Sequence, residues 1–343
     1  MVQYLLEMKS LLEIVCKIFL PLSLSLRNFL LLLLLTNLIF GQNNLFANSN
    51  RPLAFVTNQG DDSVSVINLS DFKLIDTISV GKSPAGIVVD NINKLIFVSN
   101  AEGKSVSVID YITLKVINTI KFEGSSVGLD VSHNGSLLFI TDWFNDKLLV
   151  YSIPSFDLLE KIAVGKAPAG VVAARSGLVY VVNRDENNVS VVSTDDFSVK
   201  DIINVGDHPF GIALNPKEDK LIVANVQSHD VTVIDLLARS KSKTIKVGKR
   251  PYCISFSPTK PMAYVTNQYE DSVSIIDLSI NNVVKTIPVG SFPEGIANWR
   301  GYILVVNWMD EEMMILDEDK LDLINLIPLG SNPRNFGKFI FSE

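Results

Sequence analysis

Three features predict an all-β fold, a seven-bladed β-propeller of four-stranded blades. One unit recurs seven times, two independent markers keep the same period, and a spare strand ends the chain. The unit is plainest in Tyr264–Gly295, which reads YVTNQYEDSVSIIDLSINNVVKTIPVGSFPEG. Alternating Val, Ile, Tyr and Thr, broken by Asn, Asp, Gly and Pro, is the pattern of short half-buried strands joined by tight turns.

The first marker is the polar residue closing the first run of each unit: Asn58, Asn100, Asp142, Asn183, Asn225, Asn267 and Asn307, at steps of 42, 42, 41, 42, 42 and 40. The second is the closing-loop proline: Pro84, Pro168, Pro209, Pro251, Pro293 and Pro333, with Ser126 in its place in the second unit. Two residues further on stand Gly86, Gly128, Gly170, Gly211, Cys253, Gly295 and Asn335. In the sixth unit strand A is expected from Cys253 to Phe256, B at Ala263–Thr266, C at Val273–Ile276 and D at Val283–Val289. Pro fixes φ and Gly permits φ > 0, so the loop from D to the next A can repeat one sharp crossing.

An open solenoid is the alternative architecture, and the chain ends argue against it. No A strand precedes Leu53–Thr57, whereas Asn335–Ile340 is an A strand with no B strand after it. That segment is expected to become the innermost strand of the first blade. It would close the ring and remove the free sheet edges of an open array.

Residues 1–50 stand outside the repeat. Lys9, Lys17 and Arg27 precede the apolar run Phe29–Phe40, as in a secretory signal peptide, and the run is shorter than a spanning helix needs. Cleavage near Ala47 is expected to leave residues 51–343 as one exported domain, periplasmic or secreted. An uncleaved membrane anchor is the alternative. The domain would keep one cysteine, Cys253, so it has no internal disulfide and no Cys-x-x-Cys-His haem site. It carries 27 basic and 35 acidic residues, a balance that disfavours nonspecific binding to nucleic acid.

Tyr264-Val265-Thr266-Asn267, Phe55-Val56-Thr57-Asn58 and Phe97-Val98-Ser99-Asn100 are each followed by a Ser-Val-Ser run. In two of the three units a Val-Gly-x-x-Pro-x-Gly loop closes the unit. With these motifs the chain resembles the YVTN β-propeller repeat family, the YncE-like proteins, over all of its length after about residue 52. The resemblance implies a seven-bladed, often exported propeller. It implies little about activity, because propellers are platforms and function lives in the site. The family includes a member that binds single-stranded DNA, and propellers of similar shape include lactonases and amine-dehydrogenase heavy chains. Glu123 and Ser126 in the second unit, Asp142 in the third and Asn335 in the last depart from the pattern.

Alternating strand direction places the D–A and B–C loops on one face, called here the loop face. The A–B and C–D turns form the opposite, hairpin face. The loop face collects the irregular residues: Trp143, Phe144, Arg184, His208, Phe210, Tyr252, Glu294, Trp308 and Arg334. Aromatic residues with Arg are typical of recognition surfaces, so these are the candidate partner-binding residues. The competing reading is that their rings cover gaps between blades. The anchor Asn residues fit turn shaping better than a metal or sugar ring. Asp61, Asp62, Asp185, Glu186, Glu270, Asp271, Asp310, Glu311 and Glu312 form an acidic rim: either solvated turn charge, or steering of a cationic partner or a loosely held Ca²⁺.

His208, in Gly206-Asp207-His208-Pro209, lies on the loop face, where a metal or haem ligand is the minor reading; His133 and His229 do not share its loop position, so no three-His zinc set is evident. No nucleophile elbow, Ser-His-Asp order or phosphate-cradling glycine loop occurs. The expectation is a non-catalytic module binding a protein, peptide or small ligand on the loop face, with no cofactor identified. The alternatives are a lactonase-like or redox-associated propeller using the central funnel, and single-stranded DNA binding by resemblance.

Overall fold

The alternation of apolar and polar residues becomes seven blades, each built on four antiparallel strands; the sheet of blade two carries a fifth strand added in parallel. The computed structural model describes residues 51–238 and 242–341; the expected leader lies outside them. Blades two to seven are each built on a meander from an inner to an outer strand, as in Pro251–Phe256, Met262–Asn267, Ser272–Asp277 and Asn282–Pro288 of blade six, whereas blade one takes its inner strand from the C-terminal segment. The two middle strands of each blade are almost wholly buried, because both of their faces pack against neighbouring blades. The outer strand exposes most of its residues. Six apolar clusters fill the spaces between blades.

The repeated loop residues build the ring from within. A Cβ on Gly86 would lie 1.7 Å from the Val127 carbonyl oxygen of the next blade, and one on Gly211 would lie 1.9 Å from that of Tyr252. Glycine therefore lets adjacent inner strands close on the axis. Beside them, the hydroxyls of Thr57, Thr141 and Thr266 donate across the blade junction to the carbonyls of Ala85, Ala169 and Glu294, at 3.3, 2.9 and 3.1 Å. Gly86→Ala is expected to destabilise the fold by about 2 kcal/mol, read from the denaturant midpoint, since the added methyl must push a neighbouring blade outward.

The C-terminal strand closes the ring along a path the repeat did not anticipate. Pro333 bridges Asn58, and Ile340 and Phe341 pair with Ala54 and Leu53 on the inner side of blade one. Between them, Phe336–Lys338 leaves that register and adds in parallel to Gly86–Val88, the inner strand of blade two. Closure therefore spans two blades, where a single innermost strand over Asn335–Ile340 was expected. The cause lies in the spacing: the segment after Pro333 is longer than in the other units, and the surplus loops into the funnel. Gly337 makes this possible, with φ +126° and a missing Cβ that would lie 2.1 Å from the Ile87 carbonyl oxygen. Phe339 and Phe341 are buried, and Phe341 stacks on Tyr111 at 3.7 Å.

Candidate functional site: the loop face of the ring

The loop face is held rigid by the residues that form its rim. The buried anchors Asn58, Asn100, Asn183, Asn225 and Asn267 donate from Nδ2 to side chains five and seven residues on, as Asn267 does to Ser272 and Ser274 at 3.1 and 2.9 Å, while Asn307 donates to Glu312. This is the expected architectural role, with side chains rather than backbone as the acceptors. Four residues after the anchor, Asp62, Asp146 and Asp271 accept the backbone N–H of Ser83, Ala167 and Phe292 in the following D–A loop, at 2.7, 2.9 and 2.9 Å. Asn187 and the His229 ring nitrogen Nδ1 do the same for His208 and Arg250. Asp61 and Asp310 accept from Ser331 and Ser291, both at 2.6 Å. Much of the acidic rim is therefore a set of latches that pin one loop to the next. Among the described residues no cluster of three or more His, Cys, Asp or Glu could hold a metal ion.

The candidate residues separate into two groups. Phe210, Tyr252 and Glu294 are buried rather than lining an open rim, because the C-terminal excursion drives Phe336 into the funnel among them. Phe210 stacks on Tyr252 at 4.6 Å, and Phe336 meets both edge-on at 5.0 and 5.7 Å. Trp143, half-buried, tilts against Phe210 at 5.9 Å, and the Arg184 guanidinium lies 5.7 Å over its ring. On this face the funnel axis is thus filled with rings.

Under the rings lies a polar junction. Arg334 Nε stands 3.1 Å from Glu294 Oε2, Arg334 donates to the Tyr252 hydroxyl at 2.9 Å, and Gln268 Nε2 donates to Glu294 Oε1 at 3.0 Å. Burial pushes the Glu294 carboxyl up to about 7; the Arg334 charge pulls the other way and does not overcome it. Burial likewise pushes the Tyr252 hydroxyl and the Cys253 thiol up. His208 sits half-buried with φ +51°.

Trp308 belongs to a second cluster over blades six and seven. It meets Phe292 at 5.6 Å, Phe292 meets Tyr269 at 5.5 Å, and Arg250 lies 4.9 Å over the Tyr269 ring. Tyr269 and Met309 are 58% and 60% exposed, and Phe144 beside Trp143 is 76% exposed. The sequence reading missed Phe336, Tyr269 and Phe292. Tyr269 follows the anchor Asn267 by two positions, and Phe292 precedes the loop proline, so both stood next to positions already marked.

Comparisons agree with this architecture. The family profile described as YncE-like β-propeller matches residues 91–176 and 171–268. No curated protein matched the sequence. Among solved structures, the chain is similar to Kuenenia stuttgartiensis hydrazine synthase, with 16% identity, a TM-score of 0.72, and coverage of 78% of this chain and 92% of that one. It is similar to a functionally unknown protein from Desulfotomaculum acetoxidans, at 13% identity and TM-score 0.69, covering 83% and 99%. It is also similar to AztD from Citrobacter koseri in its apo form, at 14% identity and TM-score 0.62, covering 83% and 97%. At such identities the likeness concerns the fold.

Proposed function

The chain belongs to the YncE-like β-propeller family, and on that premise we propose that it is an exported, non-catalytic binding module that docks a partner on its loop face. The observation that carries this reading is the rim pair of aromatic–arginine clusters. Arg184 on Trp143, and Arg250 on Tyr269 with Phe292 and Trp308, lie on one face with exposed Phe144, Tyr269 and Met309 beside them. Rigid rings braced by guanidinium groups offer large contact area at little entropic cost. Chemistry in the funnel is disfavoured on this face, because Phe210, Tyr252 and Phe336 occupy the axis. The latched acidic loops oppose single-stranded DNA, whose backbone seeks a basic groove. Export rests on the basic and apolar leader read in residues 1–50.

Crosslinking in the exported fraction supplies the partner. Trp308→Ala and Arg184→Ala are then expected to weaken its binding by about 2 kcal/mol each, as at interface hot spots. Lys94→Ala and Lys217→Ala on the hairpin face are expected to leave affinity unchanged. Loss of binding in the second pair with retention in the first places the working face on the wrong side.

A further inference from the structure

The hairpin face opens on the same funnel from the other end, and there a cavity of about 430 Å³ remains. That volume lies in the range of small-ligand sites. Its floor is the C-terminal excursion, and its walls are the ends of the inner strands. Among the described residues four charged ones line it, and they are paired: Lys338 with Asp130 at 2.8 Å, Arg175 with Glu218 at 3.5 Å. The lining thus has no net charge and no charge waiting for an ion.

What the cavity does offer is main chain. The inner strands of blades five, six and seven, Pro209–Leu214, Pro251–Phe256 and Pro293–Trp299, are the inner ends of their sheets, with no strand bonded beyond them among the described residues. Toward the hairpin face Ile212–Leu214, Ile254–Phe256 and Ala297–Asn298 are only half-buried, with the buried Trp299 closing the blade-seven strand. In blade two the equivalent edge is fully buried, because Phe336–Lys338 is added to it in parallel. The funnel therefore already accepts an extended segment on one inner edge, and equivalent edges stay open among apolar walls.

We propose that this end of the funnel is a binding site for an extended, uncharged peptide segment of about three residues, taken as an added strand on an open inner edge of blades five to seven. Edge hydrogen bonds supply the affinity, and Ile212, Leu214, Ile254 and Phe256 receive the side chains. The site is separate from the aromatic rim and does not depend on it.

The test is titration of the intact chain with a fluorescent, end-blocked synthetic peptide of the sequence Asn335–Ile340 carrying Lys338→Gln, which removes its charge and keeps the stretch 336–338 that forms such a strand in the fold. Hydrogen exchange is read in parallel. Saturable binding is expected, with slowed exchange at 212–214, 254–256 or 297–298. N-methylation of alternate peptide nitrogens is expected to weaken binding about tenfold, and Trp308→Ala is expected to leave it unchanged. Ala213→Trp is expected to block the site; the exchange footprint decides if that variant does not fold. The proposal is overturned by an absence of saturable binding up to about 1 mM, or by indifference to N-methylation. It is equally overturned by protection at the B–C loops instead, or by faster exchange at 336–338, which means the peptide replaced the tail and left the open edges empty.

Discussion

A chain ending at Arg334 is expected to lose cooperative unfolding and to aggregate. The deletion removes Phe336, Phe339 and Phe341, all buried, and each contributes about 1.5–3 kcal/mol through burial alone. Their sum is comparable with the whole stability of an ordinary domain, about 5–15 kcal/mol. It also strips the strands from two inner edges, Leu53–Ala54 of blade one and Gly86–Val88 of blade two, and removes the two Asn335–Thr57 hydrogen bonds that help seal the ring. Unpaired inner edges invite pairing with other chains. Scanning calorimetry with light scattering distinguishes the outcomes: a broad transition with aggregation is expected, and an unchanged sharp transition contradicts closure by the tail.

Stability is expected to depend on Glu294 between mildly acidic and mildly alkaline pH. Its carboxyl is raised in the fold from 4.5 to about 7, so the folded chain holds a proton that the unfolded chain releases. The group's full contribution is present below pH 4.5 and is lost as pH rises through about 7. A rise of that size is worth about 3 kcal/mol. Arg334 offsets part of the cost of the charged form and leaves the direction unchanged. Denaturant unfolding at about pH 5 and about pH 8 is expected to show the wild type less stable at the higher pH from this group. Glu294→Gln is expected to flatten that slope. A variant with the same slope as the wild type contradicts the assignment.

The repeat made most of the fold legible. Periodic Asn and Pro markers fixed blade number, and alternation fixed the strands, because each blade repeats one local solution that needs no long-range information. The seam was different. Phe336-Gly337-Lys338 reads locally as the start of another inner strand, and its diversion to blade two is a pairing across about 250 residues of chain that leaves no local signal. Once Phe336 enters the funnel, Phe210, Tyr252 and Glu294 change from rim residues to buried ones. The acidic latches were visible in principle, since Asp62, Asp146 and Asp271 keep a fixed offset from their anchors. A carboxylate accepting one backbone N–H has the same composition as a solvated turn charge, so only the offset carried the signal. Trp143, Arg184 and Trp308 stayed partly exposed because their loops project beyond the ring of inner strands.

The docking face is tested most directly by a hydrogen-exchange footprint of the chain with and without its crosslinked partner. Slowed exchange is expected at residues 142–145, 267–270, 291–293 and 307–310, which carry the rings of the two aromatic–arginine clusters, with no change at the hairpin turns 91–94 and 216–219. Protection confined to those turns, with the aromatic loops exchanging as in the free chain, contradicts the proposed role of the loop face.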